Sequence, residues 1–469
     1  MMRKRYAILL AVMVASIMGP IDASIMNINY HIIGGYFGTD LSTAQWLISI
    51  YLLTISSLLL FFGHLGDISG YKRIYTTGLL GFTITSGLCT LSYFFNSIYI
   101  LILLRAIQGV TAAMMMSVPH AIITSAFPSS ERGRALGINA ISISLGLAIG
   151  PSLGGFIANS FGWQFIFLIN VPIGILGIIL AQRVIPEIKG EGGRIDIPGA
   201  LFAFLFLFSS LFLINRFRDF TMNTRTIALI TIAFLSMLAF LRQERRTPTP
   251  ILNLSLFQNI NFSLANVSAL FNFMAQYFIV TLLPSYLGRI LNLPQNRVGL
   301  IMTSFPLAVL IIAPFAGILS DRIGTKFLAA GGAFLCAFGL SLMATLSPSS
   351  SLPSIILRLI IFGIGTGVFQ SPNMSLAMGS VPRVHMGTAS GIIATVRNLG
   401  MVLGIAIGGM LLSLFVPSHI LSGSSAILGE NKRLFTSGLS QTFMRAAVLA
   451  GISGIISLLQ KSPHRNHTL

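Results

Sequence analysis

Residues 137–155 read GINAISISLGLAIGPSLGG, and residues 391–409 read GIIATVRNLGMVLGIAIGG. Five glycines of the first stretch, Gly137, Gly146, Gly150, Gly154 and Gly155, return 254 residues later as Gly391, Gly400, Gly404, Gly408 and Gly409. The same offset joins Gly63, Leu65, Asp67, Gly70 and Lys72 to Gly317, Leu319, Asp321, Gly324 and Lys326, and an offset of 253 joins Arg105 and Pro119 to Arg358 and Pro372. An irregular spacing that repeats at one offset marks a duplicated half. Glycines four and nine apart fall near one helix face, where the missing side chain lets a neighbouring backbone approach closely. Pro151 removes a backbone hydrogen bond and bends its helix, whereas the second copy has Ile405 there. These features predict a bent, tightly packed helix at the seam between two halves, or else glycines that only pack.

Composition fixes the solvent. The chain is 54% hydrophobic and 9% charged, with a mean hydropathy of +0.86, far below the roughly 25% charge of a soluble globule. Apolar runs long enough to cross about 30 Å of hydrocarbon fall near 7–29, 44–63, 74–94, 97–121, 135–160 and 165–186. Two more lie near 197–215 and 225–241, and six near 261–287, 297–318, 327–347, 353–377, 389–415 and 441–460. The expectation is an all-α polytopic membrane protein of fourteen transmembrane helices. It divides into an N-terminal six-helix half, 1–195, two inserted helices, 196–250, and a C-terminal six-helix half, 251–469.

An even number of spans puts both termini on one side, and the basic residues indicate which. Eighteen of the 29 lysines and arginines fall on the side of the N-terminus, seven on the other and four within spans. Both termini are therefore expected in the cytoplasm of a multi-pass inner-membrane protein. The net charge of +18 reads as a topology signal, with no nucleic-acid partner. Arg3-Lys4-Arg5 before an apolar run also resembles a signal peptide, but the further spans and Asp22 inside the run favour a retained first helix. Cys89 and Cys336 lie in apolar spans and imply neither a disulfide framework nor a zinc site. The polar stretches 183–196, 216–225, 242–260 and 416–440 read as loops rather than a soluble domain. No nucleotide loop, H-E-x-x-H or G-x-S-x-G is present, so the chain is not read as an enzyme.

Nearly the whole chain resembles the major facilitator superfamily, specifically its fourteen-span drug:proton antiporter branch of the EmrB/QacA type. The stretch from Gly137 to Gly155 matches that family's antiporter motif, G-x8-G-x3-G-P-x2-G-G, at every fixed position, Pro151 included. Residues 21–27 resemble the first-helix pattern of the branch, Trp163 with residues 170–174 its sixth-helix ending, and Arg105 to Gly109 the fourth-helix motif R-x-x-Q-G. The loop motif at Gly317, Asp321, Arg322 and Gly324 fits well; its first copy, at Gly63, Asp67 and Gly70, departs at Ile68 and Tyr71. The resemblance implies alternating access between two bundles and proton-driven export of lipophilic, often cationic, toxic compounds. It implies no cofactor, the bilayer as surroundings and, in some relatives, a periplasmic adaptor protein.

Charges inside the hydrocarbon cost roughly 2.5–3.5 kcal/mol on insertion scales, and of eleven acidic residues only Asp22 lies deep in a span. A carboxylate there has its ionised form disfavoured and suits proton binding and release. If its helix touches that of Arg105, the two form either a switch or a permanent ion pair. His120, after Pro119, is a second candidate proton carrier. Asp67 and Asp321 stand where a carboxylate caps a helix or, by the resemblance, holds a cytoplasmic gate shut, with Asp321 and Arg322 the stronger candidates. Met18, Met26, Met115, Phe273, Gln276 and Tyr277 are candidates for substrate contact, since methionine adapts its shape and aromatic faces accept cations. Arg358 and Arg397 have no obvious carboxylate nearby; backbone carbonyls, water or an anionic group are all compatible with them. A dedicated metabolite or lipid exporter, or a non-transporting sensor, are the alternatives.

Overall fold

The computed structural model describes residues 2–39, 41–94, 97–128, 131–187, 192, 196–215, 223–247, 251–252, 254–417, 420 and 429–461. Long helices dominate: α1 Met2–Tyr36, α2 Leu41–Ser69, α3 Tyr71–Leu91, α4 Ile98–Ser117, the short α5 Pro119–Ala126 and α6 Arg132–Ser160. They continue with α7 Phe165–Leu168, α8 Asn170–Val184, α9 Ile197–Asn215, α10 Thr224–Glu244, α11 Ile260–Arg289 and α12 Gln295–Ile323. The last are α13 Thr325–Met343, α14 Leu352–Gly379, α15 Met386–Phe415 and a final helix, α16, Glu430–Leu459. Gly70 and Gly324 turn the chain between α2 and α3 and between α12 and α13 at φ of 90° and 100°, a backbone region that glycine enters at no steric cost.

Twelve helices among the described residues are long and apolar enough to cross a membrane. Fourteen were expected, and the difference lies in two places. The apolar part of α9, Ile197–Leu213, is shorter than the other spans. Helix α6 has 29 residues but is not among the twelve, and several of its side chains lie outside the described set. Large apolar side chains such as Leu80, Ile84, Leu103, Phe156, Phe315 and Phe338 stand exposed on the helix surfaces, as they must where the solvent is hydrocarbon rather than water.

The chain forms two compact units. One comprises Met1–Phe127, Ser142–Leu254 and Pro382–Asn398; the other Pro128–Ile141, Ser255–Val381 and Leu399–Leu469. The boundaries respect the duplication, since 128–141 shifted by 254 falls within 382–398. In the first unit α2 and α3 pack on α4, and α1 and α3 on α8; in the second, α12 and α13 pack on α14, and α11 and α13 on α16. The inserted α9 packs on α2 and on α10. Each half thus repeats one packing scheme, which the 254-residue repeat anticipates.

Candidate functional site

Asp22 on α1 and Arg105 on α4 meet inside the first unit. Arg105 Nη1 donates to Asp22 Oδ2 at 2.6 Å, with the arginine fully buried and Asp22 4% exposed. Arg105 Nε donates to the Leu47 carbonyl of α2 at 3.0 Å, and Nη1 also reaches Gln108 Oε1 at 2.7 Å. The guanidinium lies over the Tyr51 ring, 4.1 Å from its centroid, a placement that adds a cation–π attraction. The second carboxylate oxygen accepts from Asn170 Nδ2 of α8 at 3.1 Å and from Gln108 Nε2 at 3.4 Å, and Gln108 Nε2 also donates to Ser86 Oγ of α3 at 2.9 Å. Arg105 and Gln108, three apart, share one helix face, which is what the R-x-x-Q spacing accomplishes.

Five helices therefore contribute to one network, in which α4 and α8 bond the carboxylate of α1 directly and α2 and α3 bond Arg105 and Gln108. Taking two charges out of water costs several kcal/mol per ion, which the pair offsets only because hydrogen bonds occupy the remaining polar groups. Three atoms are left over: Arg105 Nη2, Asn170 Oδ1 and Tyr51 Oη are buried and have no hydrogen-bond partner among the described residues. Asp22 and Arg105 were singled out from the sequence; Tyr51, Ser86, Gln108 and Asn170 were not. The signal for Gln108 and Asn170 was present in the motifs that contain them, but only the tertiary contact assigns them to Asp22.

Asp67 makes a second, independent constellation in the same unit. Its Oδ1 accepts from the Gly387 amide at 2.6 Å and from Tyr71 Oη at 2.9 Å; its Oδ2 accepts from the Thr388 amide at 2.7 Å and Thr388 Oγ1 at 2.6 Å. These amides belong to the first turn of α15, so a carboxylate at the end of α2 caps a helix 320 residues away. Free N–H groups and the positive end of the helix dipole both favour that arrangement. The sequence reading favoured Asp321 and Arg322 for this role. Here Asp67 carries the contact, and Tyr71, counted against the first copy, is one of its donors. The Asp321 side chain lies outside the described residues, and Arg322 is exposed in the last turn of α12.

Glycine makes that approach possible. A Cβ built on Gly63 would stand 2.6 Å from the Gly387 carbonyl and 3.0 Å from Gly391 Cα. In the second unit the duplicated contact recurs: Gly317 abuts the Gly133 carbonyl, which accepts from Ser371 Oγ at 2.9 Å, and a Cβ on Gly137 would meet the Ala313 carbonyl at 2.5 Å. Adding 254 to residues 63 and 133 gives 317 and 387, so the two contacts are copies.

The rest of the antiporter motif does something else. Cβ atoms on Gly146, Gly150 and Gly154 would collide with Ile17 and Pro20, with Ser24, and with Ile25 and Asn29. All those residues lie on α1, so this glycine face seats α6 against a helix of its own unit. Gly155 meets nothing within 4 Å. Pro151 falls within α6, but its side chain is outside the described set.

The remaining candidates divide by burial. His120 is buried, with Nδ1 3.4 Å from Ser390 Oγ. Met18, Met26 and Met115 are at most 1% exposed, and Met26 packs with Trp163 and Phe167 in an apolar cluster; these are core positions. Phe273 and Tyr277 are half-buried, and Gln276 accepts from Gln370 Nε2 at 3.4 Å. Arg358 Nη1 is buried without a hydrogen-bond partner among the described residues. No group of three or more metal-ligating side chains occurs among the described residues.

Comparison with known proteins places this geometry. The chain is 36% identical over 407 residues to the riboflavin transporter RibZ of Clostridioides difficile, covering 86% of this chain and 88% of that one. It is 29% identical over 403 residues to the multidrug resistance protein Stp of Mycobacterium tuberculosis, covering 85% and 74%. Among solved structures it is similar to the proton:xylose symporter XylE, with a TM-score of 0.69 at 14% identity over 98% of this chain and 96% of that one, a likeness of fold. The model of the Major Facilitator Superfamily matches residues 12–263 and 265–468. The chain is a non-enzymatic membrane transporter, and it belongs to the major facilitator superfamily.

Proposed function

We propose that this transporter is a proton-coupled antiporter that exports lipophilic organic molecules across the cytoplasmic membrane by alternating access. The observation that carries the reading is the buried Asp22–Arg105 pair: a carboxylate that the sequence places deep in a span is held by an arginine and two amides, and the arginine lies over an aromatic face. Protonation of Asp22 removes the charge that holds Arg105 and frees its hydrogen bonds. The unsatisfied Nη2 and Asn170 Oδ1 give the network room for a second arrangement. The Asp67 cap on α15 serves as the latch of one state, since the same carboxylate loses its three bonds from Gly387 and Thr388 when α2 and the start of α15 part, and keeps only that from Tyr71. His120 is a reserve proton carrier in this scheme.

The proposed topology has fourteen crossings, with both termini cytoplasmic and the sequence divided as 1–195, 196–250 and 251–469. Supporting it are the eighteen-to-seven charge asymmetry and the lengths of the two extra candidates. Helix α6 with 29 residues and α9 with 19 rise about 43 and 28 Å at 1.5 Å per residue, against roughly 30 Å of hydrocarbon.

A second reading is favoured by a specific observation. Asp22 is buried with both oxygens bonded to protein groups, its charge matched by Arg105 rather than offered to a cationic drug, and the chain is 36% identical to a riboflavin transporter. A dedicated carrier of a neutral metabolite of flavin type fits that better than a broad cation exporter. Accumulation of fluorescent lipophilic cations and of riboflavin in cells with and without the protein, each with and without a proton uncoupler, separates them. Uncoupler-sensitive depletion of either compound supports transport of that class. Identical accumulation of all compounds with and without the protein rejects both.

A further inference from the structure

We propose that Gln276 and Gln370, with Phe273 and Tyr277, form a recognition site for a neutral planar ring system bearing an imide edge, as in flavin-type heterocycles. The proposal rests on the second reading above and assigns its substrate to one place in the second unit.

The duplication supplies the comparison. Gly146 and Gly150 abut Ile17, Pro20, Ile21 and Ser24 of α1, while Gly400 and Gly404 abut Leu270, Phe273, Met274 and Tyr277 of α11. The two helices therefore correspond at an offset of 253, the offset that also joins Arg105 and Pro119 of the first copy to Arg358 and Pro372. Position by position, Pro20, Ala23 and Ser24 become Phe273, Gln276 and Tyr277, and Ser117 becomes Gln370. Small residues in one half are large aromatic and amide residues in the other, all at one level of two packed helices, α11 and α14. Asp22 becomes Ala275. The acidic residues of the second unit, Glu131, Asp321 and Glu430, all stand at helix ends, so this place offers hydrogen bonds and ring faces but no negative charge.

The geometry says what those hydrogen bonds select. Gln370 Nε2 donates to Gln276 Oε1 at 3.4 Å, which orients both amides. Gln276 Nε2 and Gln370 Oε1 make no hydrogen bond to another described residue, which leaves N–H donors on one of the paired amides and a carbonyl acceptor on the other. An imide presents the complement, a carbonyl that accepts from Gln276 Nε2 and an N–H that donates to Gln370 Oε1. Phe273 and Tyr277, four apart and half-buried, flank Gln276 on the same helix, and their Cβ atoms rest where Gly400 and Gly404 have no side chain. Rings placed there stack on a planar ligand whose edge the glutamines read.

Titration of the purified transporter in lipid nanodiscs, following quenching of riboflavin fluorescence, tests this. Wild type binds riboflavin and binds its N3-methyl analogue, which lacks the imide proton, about fivefold more weakly, the loss that one hydrogen bond of about 1 kcal/mol produces. Gln276→Leu and Gln370→Leu each weaken riboflavin binding by about fivefold and abolish discrimination between the two flavins. Phe273→Ala weakens both flavins alike. Equal binding of the two flavins by wild type, or undiminished discrimination in both glutamine variants, overturns the proposal without relying on any variant to fold. Proteoliposome transport of riboflavin and of tetraphenylphosphonium is read in parallel: a protein that moves the cation and binds no flavin refutes the site but leaves the transport function intact. Failure to move either compound refutes the reading on which the site rests.

Discussion

Asp67→Asn removes one carboxylate charge from the first turn of α15, and the contact geometry sets the size of the effect. Oδ1 serves Gly387 and Tyr71, and Oδ2 serves the Thr388 amide and hydroxyl, at 2.6–2.9 Å. An amide nitrogen at either position cannot accept from a backbone N–H, so one charged hydrogen bond, about 1.5–3 kcal/mol, is lost. The dipole interaction, typically 0.3–1 kcal/mol, goes with the charge. Some of that returns as water solvates the freed amide, so a net bias of about 2–3 kcal/mol toward the parted state is expected, roughly a 30- to 150-fold change in its population. Hydrogen exchange followed by mass spectrometry on a peptide covering residues 383–395 reads it directly. Exchange at Gly387 and Thr388 accelerates by that order in the variant, while a peptide from α13 does not change. Unaltered exchange at those two amides refutes the idea that Asp67 holds the start of α15.

Gly150→Leu forces bulk onto Ser24, whose Cβ lies 2.9 Å from a built Cβ. Overpacking of about 1–3 kcal/mol should lower the melting temperature of the purified protein, whereas Gly155→Leu, with nothing within 4 Å, should leave it unchanged. Arg105→Ala strands Asp22 with only amide donors and is expected to destabilise by about 3–5 kcal/mol, seen as a large drop in thermal stability; Asp22→Asn with Arg105→Ala together should recover part of it. Single cysteines at Pro382 and Glu430, in a background lacking Cys89 and Cys336, should be shielded from and reactive toward an impermeant thiol reagent on intact cells, respectively. Labelling of Pro382 from outside contradicts the proposed orientation.

Helices were legible because apolar runs of bilayer length and glycine spacings are local properties of the sequence. The duplication was legible for the same reason, and the matching helix contacts of the two units follow it. Contacts were another matter. Asp22 was conspicuous as a lone acid in hydrocarbon, but Asn170 is 148 residues away, and nothing local ties an amide on α8 to a carboxylate on α1. Asp67 was undervalued because Tyr71 departs from the family pattern, although a tyrosine hydroxyl four residues on reaches the carboxylate as a hydrogen-bond donor. Four of the five motif glycines of α6, all but Gly155, stand at close contacts, as their spacing predicts. Their partners were not legible, since a helix with glycine at 137, 146, 150 and 154 meets different neighbours along its length: Ala313 of α12 at one end and α1 at the other. Met18, Met26 and Met115 are buried in this arrangement of the helices, which their local sequence did not signal.

The central claim is that Asp22 couples a proton to transport, and Asp22→Asn tests it most directly. Asparagine keeps the shape and some of the hydrogen bonding but cannot cycle a proton. In proteoliposomes with an imposed pH gradient, wild type should concentrate its substrate against a gradient and the variant should only equilibrate it. Concentrative transport by Asp22→Asn, driven by the same pH gradient, would contradict the account and move the coupling role to His120 or Asp67.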